Sequence, residues 1–261
     1  MINVYNKNPY NLSVTKKICL SGIFIVLVIL FNKVFAINYI AFIPFVRLSF
    51  GSIALIVFSS IFFGPIYGLF VGVFADIIGY FLFDMSSFAW FPQITLTYAL
   101  LGFVPYFIYR FISIFKSKKM MAAIEYGIFA LIFIGITLFF ALNNEISLYG
   151  KMYSFEVWQR ILIPSIALLL CLITIVTNIL IDKKFSDENM PLDIYHLSFI
   201  MFLCEIAINF LFGSLMKSWA FGFNMFGAIL ISQAILMFFN IPYNCYLIFV
   251  IMKLSKKYWV N

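Results

Sequence analysis

Asp76, Asp84, Glu205 and His196 are among the residues in or beside this chain's long apolar stretches that could move protons or hold a metal. A carboxylate at membrane depth is costly unless it is paired or solvated, so Asp76 is a functional candidate by position, while Glu205, in the middle of its span, is expected to pair with a buried donor. Asp76 and Asp84 do not make an aspartyl dyad. Eight helical residues separate them by about 12 Å, whereas two carboxyls sharing a proton must lie about 3 Å apart. His196, the only histidine, precedes Glu205 by nine residues. That spacing fits neither one helix face nor an HExxH zinc site, so no metal centre and no cofactor are expected. The chain contains no GxxxxGK[ST] loop, so any ATP-driven step needs another subunit. No nucleophile is accompanied by a plausible base and orienter, and an enzyme is not expected.

Other polar residues suit binding better than catalysis. Asn209 lies one turn beyond Glu205, and the two can form one polar patch. Gln233, Asn240 and Asn244 line the last apolar run, which Pro242 kinks or interrupts. The run Phe91-Pro92-Gln93-Ile94-Thr95-Leu96-Thr97 mixes aromatic rings with hydroxyls and an amide, as would the wall of a pocket for a flat polar ligand. Gly64, Gly68 and Gly72 recur every four residues and form a small-residue stripe where another helix can approach closely; Asp76 continues it.

The elements that must position these residues are set by composition. Of 261 residues, 65% are hydrophobic and 10% charged, and mean hydropathy is +1.09. That excludes a soluble enzyme, a disordered chain and a disulfide scaffold, and indicates an all-α polytopic membrane protein. A bilayer core about 30 Å thick needs about 20 apolar helical residues. Eight candidate spans meet that requirement: 17–36, 45–63, 65–84, 93–115, 121–142, 158–181, 194–216 and 225–252. With both termini in the cytoplasm, twelve of the 17 basic residues fall inside and Lys33, Arg47, Lys151, Arg160 and Lys217 fall outside, as the positive-inside rule requires. The four cysteines have no CxxC pairing and read as small buried hydrophobes. The polar first fifteen residues and the long apolar run after them do not form a cleavable signal peptide, so the first helix is expected to remain. No internal repeat marks an inverted-repeat carrier.

The blocks Ile43-Pro44-Phe45-Val46-Arg47-Leu48-Ser49-Phe50-Gly51, Phe62-Phe63-Gly64-Pro65-Ile66-Tyr67-Gly68, Gly72-Val73-Phe74-Ala75-Asp76 and Phe91 to Gly102 together resemble the S components of energy-coupling factor (ECF) vitamin transporters, most closely the folate family. The resemblance covers roughly residues 15–115. It implies a multi-pass plasma-membrane protein that binds folate or a related vitamin at its outer face. Such a protein docks on a transmembrane T component driven by two ATPase subunits, with no nucleic acid involved. Under it, Arg47, Gln93, Thr95, Thr97, Asn209 and Gln233 are the expected pocket residues, and Asp76 serves packing or the conformational cycle. Gly22 and Val26 match the small-residue positions of the first helix that contact the T component. Family members usually have six helices. The expected division is therefore an S-component-like half (1–116), an inserted helix pair (117–190) and C-terminal helices (191–261). Gln233 stands where the family commonly carries a basic residue, and glutamine cannot reproduce an arginine's bidentate grip on a carboxylate. A membrane enzyme, or an accessory or structural subunit of another membrane complex, is the alternative reading.

Overall fold

A computed structural model describes residues 12–36, 49–85, 89–112, 117–148, 151–185 and 192–259. Nine α-helices and one small hairpin make up the described chain. They are α1 (Val14–Ile29), α2 (Ser52–Phe63), α3 (Pro65–Gly79), α4 (Pro92–Ile112), α5 (Lys118–Leu142), β1 (Glu145–Leu148), β2 (Lys151–Ser154), α6 (Val157–Phe185), α7 (Ile194–Cys204), α8 (Gly213–Phe221) and α9 (Phe226–Trp259). Tighter or wider turns extend several of them. α1 and α3 close in the π-helical turns Leu30–Val34 and Tyr80–Asp84, the π-helical stretch Glu205–Phe212 joins α7 to α8, and a 3₁₀ turn (Phe223–Met225) leads into α9.

Seven helical segments are long and apolar enough to cross a membrane, from Val14–Val34 to Phe223–Ser255. The stretch read from sequence as a span over 45–63 differs. Its helix is only Ser52–Phe63, because Gly51 at φ +78° takes a left-handed conformation that blocks helical continuation toward the N-terminus. Twelve residues rise about 18 Å, short of the bilayer core. Every one of them is buried, and α1, α3, α4 and α9 pack around it. α2 is therefore the core of the bundle, not a lipid-facing wall. Its Phe58, Phe62 and Phe63 are fully buried, and the Phe58 and Phe63 rings pack tilted against Phe24 of α1 at 5.6 and 5.4 Å. Aromatic pairs at such distances add about 0.5–1.5 kcal/mol beyond their burial. Other phenylalanines, Phe70, Phe74, Phe81 and Phe107 among them, face outward, where lipid and not water is the solvent.

Helix directions follow from side-chain pairings. Lys33 pairs with Asp84 at the C-terminal ends of the α1 and α3 spans, and Lys17 lies over the Tyr67 ring at their N-terminal ends, so the two run parallel. α4 crosses α3 in the opposite sense at Gly68–Gly102 and Gly72–Tyr98. α5 and α6 form an antiparallel pair, tied by Lys118 to Asp182 at one end and by Arg160 to the Phe140 carbonyl at the other. The chain thus places its first and last helical turns at the same end of the bundle. Lys16, Lys17, Arg110, Lys118, Lys119, Lys183, Lys184 and Lys253 gather there, and it is called the basic end below. Residues 143–156, a polar connection by composition, contain the antiparallel hairpin β1–β2 (Glu145 opposite Ser154, Leu148 opposite Lys151) at the other end.

Candidate functional site

Polar side chains of α1, α3 and α4 interlock at the end opposite the basic one. Thr95 Oγ1 donates to Asp76 Oδ2 at 2.6 Å and accepts from Trp90 Nε1 at 3.1 Å. Asn32 Nδ2 donates to the Tyr98 hydroxyl at 2.8 Å. Lys33 forms its ion pair with Asp84, its stem lying over Gly79, where an added Cβ would come within 3.2 Å of Cε. Asp76 is thereby satisfied by a hydroxyl inside the bundle and anchors the start of α4, where Trp90 and Gln93 sit.

Within α4, the helix start turns Gln93 partly inward. Its Oε1 is buried and accepts no hydrogen bond among the described residues. Thr97 is buried, donates to the Gln93 backbone carbonyl at 3.2 Å, and places its methyl 3.4 Å from where a Cβ on Gly213 would stand. The Thr95 and Thr97 hydroxyl protons are thus engaged within the protein, leaving only acceptor capacity toward a ligand. Phe91 packs edge-on against Phe221 at 5.0 Å, which fastens the α4 start to the α8 end.

The π-helical stretch Glu205–Phe212 carries the second polar group. Glu205 is 1% exposed; Asn209 Nδ2 donates to its Oε2 at 3.0 Å, and its Oε1 accepts no hydrogen bond among the described residues. A buried acceptor without a donor costs about 1–3 kcal/mol. Gln233 is half-buried in the third turn of α9. Arg47 lies outside the described residues. The structure therefore brings Asp76, Gln93, Thr95 and Thr97 to one helix start, seats Asn209 on Glu205, and leaves Gln233 on α9.

The glycines divide. A Cβ on Gly68 would stand 2.2 Å from the Gly102 carbonyl oxygen and 2.6 Å from Ser60 Cα; one on Gly72 would stand 2.2 Å from the Tyr98 carbonyl oxygen. Both permit the α3–α4 crossing. Gly64 does not share that crossing: it is the turn between α2 and α3, at φ +115°. On α1, a Cβ added to Gly22 would meet nothing within 4 Å and Val26 is 56% exposed, so that face is uncovered by the other described residues.

A third polar group was not singled out from sequence. Glu125, 1% exposed on α5, accepts from Ser198 Oγ at 2.6 Å, and Asn178 Nδ2 donates both to Ser198 Oγ at 3.1 Å and to the Tyr126 hydroxyl at 3.2 Å. The signal was present: a lone carboxylate five residues into the span read as 121–142. Nearer the basic end, Lys118 binds Asp182 at 2.9 Å and Asp193 at 3.3 Å. Asp193 caps α7, accepting from the His196 backbone N–H at 3.0 Å and pairing with its Nδ1 at 2.7 Å. Burial pushes the Asp193 carboxyl up, but the His196 hydrogen bonds and the charges of His196 and Lys118 outweigh it and lower its pKa to about 2.

Two cavities open between helices. One, of about 320 Å³, lies between the start of α2, α6 and α9, with Phe50, Thr177, Asn240 and Tyr243 in its wall. The other, of about 520 Å³, lies between α5 and α6 beside Arg160. None of Gln93, Thr95, Thr97, Asn209 and Gln233, the five expected pocket residues that are described, lines either one.

Seven long apolar helical segments with buried polar clusters between them describe a polytopic helical membrane protein. The family described as "ECF transporter, substrate-specific component" matches residues 16–182, from α1 into the last turns of α6. The chain belongs to that family. No curated relative and no solved structure matches the chain. Membership makes it a multi-pass plasma-membrane protein that binds a small-molecule transport substrate, in a family that in general implies T and ATPase partners; it is not an enzyme. The enzyme alternative falls with that assignment.

Proposed function

We propose that the chain captures folate or a related flat vitamin at the end opposite the basic one and delivers it through a T component powered by two ATPase subunits. The observation that carries this reading is Gln93: its buried Oε1 lacks a donor among the described residues, beside the Trp90–Thr95–Asp76 chain. A heterocycle rich in N–H groups supplies such a donor, and Trp90 supplies an aromatic face. In this reading Arg47, Gln93, Thr95, Thr97, Asn209 and Gln233 form the substrate-binding set, with the two threonines acting as acceptors and spacers. Gln233 in place of a cation favours a ligand whose recognition does not hinge on a carboxylate at that position. The basic end is the cytoplasmic one, with both termini there, because positive residues are retained on that side. The exposed Gly22 and Val26 face of α1 is the surface offered to the T component.

The proposed division into residues 1–116, 117–190 and 191–261 has support in packing. α1 to α4 pack on one another, while α5 and α6 pack on each other and on α7 and α9. In that division the α5–α6 pair is a layer added beside the binding bundle. The direct test is ligand binding to purified protein across folates and other vitamins, followed by Gln93→Leu. Saturable binding weakened tenfold or more by Gln93→Leu is expected; no binding by any vitamin overturns the reading.

A further inference from the structure

Arg160 stands at the first turn of α6, at the mouth of the 520 Å³ groove between α5 and α6. Its Nε donates to the Phe140 carbonyl at 2.7 Å and its Nη2 to the Ala141 carbonyl at 2.8 Å. Those bonds cap the C-terminal end of α5 and fix the guanidinium plane. Five N–H groups make up the fork, so three remain for another acceptor. Arg160 forms no ion pair with a carboxylate among the described residues. The nearest acidic neighbour in sequence, Glu156, is hydrogen-bonded by Trp158 Nε1.

Below the guanidinium the groove is apolar in effect. Phe133, Ile161, Pro164 and Leu168 wall it, and its two hydroxyls are spent on their own helix: Thr137 Oγ1 donates to the Phe133 carbonyl and Ser165 Oγ to the Ile161 carbonyl. Pro164 removes one helical hydrogen bond from α6 at this level. From Ala141 to Phe133 the groove descends about 12 Å, within the roughly 15 Å of one leaflet's hydrocarbon. Ile161 and Leu168 are 64% and 46% exposed, so the groove opens to the bilayer and not to the bundle interior.

We propose that this groove is a binding site for an anionic phospholipid, with the phosphate on the free N–H groups of Arg160 and one acyl chain along Phe133, Ile161 and Leu168. A fixed cation at the interface above an apolar channel one leaflet deep matches that molecule in both charge and shape. A phosphate accepts two parallel N–H bonds from a guanidinium. A zwitterionic lipid is the poorer occupant, because its own ammonium group offsets the phosphate charge. The site is independent of the vitamin-binding reading, and its test does not involve a vitamin.

Purified full-length protein is heated in detergent with added phosphatidylglycerol, phosphatidylcholine or glycerol 3-phosphate, and retained lipid is counted by native mass spectrometry. Phosphatidylglycerol is expected to raise the unfolding midpoint by several degrees and to leave one bound lipid per chain. Phosphatidylcholine and glycerol 3-phosphate leave the midpoint unchanged. Arg160→Gln lowers lipid retention at least fivefold. Ser165→Phe, which fills the groove from a lipid-facing position and keeps Arg160, does the same and decides the matter if Arg160→Gln fails to fold. Equal protection by phosphatidylcholine, protection by glycerol 3-phosphate alone, or unchanged retention in Ser165→Phe overturns the proposal.

Discussion

Asp193 does three things with one carboxylate: it caps α7, holds His196 and accepts the Lys118 ion pair. Its pKa falls from 3.8 to about 2 on folding, so the folded state binds its proton more weakly than the unfolded state. The sign follows from linkage: the stabilisation is complete above the unfolded value of 3.8 and is lost as pH falls toward 2. Thermal unfolding in detergent from pH 5 to pH 2 is expected to show a falling midpoint in the wild type. Asp193→Asn starts lower at pH 5 and loses that part of the slope; parallel pH profiles for the two proteins would show that the carboxylate does not carry it. At this scale the sequence exposes isolated charges well, and position alone marked Asp76 and Glu205. It hides what satisfies them. Thr95 is nineteen residues from Asp76, and Ser198 is seventy-three from Glu125, so neither partnership has a local signature.

The α3–α4 crossing is the element on which the candidate site rests, because it sets the distance between Asp76 and Thr95. Its geometry is glycine against glycine: a Cβ on Gly102 would stand 2.0 Å from the Gly68 carbonyl oxygen, and the reverse contact is 2.2 Å. Backbone cannot swing aside as a flexible side chain can. Gly68→Ala is therefore expected to destabilise by about 1–3 kcal/mol, the usual cost of overpacking, whereas Gly127→Ala on α5, with nothing within 4 Å, stays near neutral. Comparing their unfolding midpoints checks this, and equal behaviour would mean the crossing yields freely. The four-residue spacing of Gly68 and Gly72 made this contact legible from sequence. The role of α2 was not legible, since a hydrophobic run reads alike whether it faces lipid or the bundle interior. The left-handed Gly51 and the ring of surrounding helices decide it.

For the whole molecule, the membrane class, the number of long spans to within one, and the family were all within reach of composition and ordered motifs, because a bilayer imposes length and charge rules on every span. The β1–β2 hairpin escaped notice, as four-residue strands carry too short an alternation to detect. A bundle that loads substrate and hands it to a partner needs one face left uncovered by its own helices. α1 meets that need: Ile18, Gly22, Ile23 and Val26 lie exposed on it, while Ser21, Phe24 and Val28 on the opposite side are buried. Gly22 admits close approach of another helix because it carries no side chain there. Gly22→Trp places a large ring on that surface without touching the core, since nothing lies within 4 Å of the added Cβ. The variant is expected to keep the wild-type unfolding midpoint and ligand affinity while losing most recovery of the T component and ATPases in native pull-down. If it recovers them as well as the wild type does, the docking surface lies elsewhere than α1.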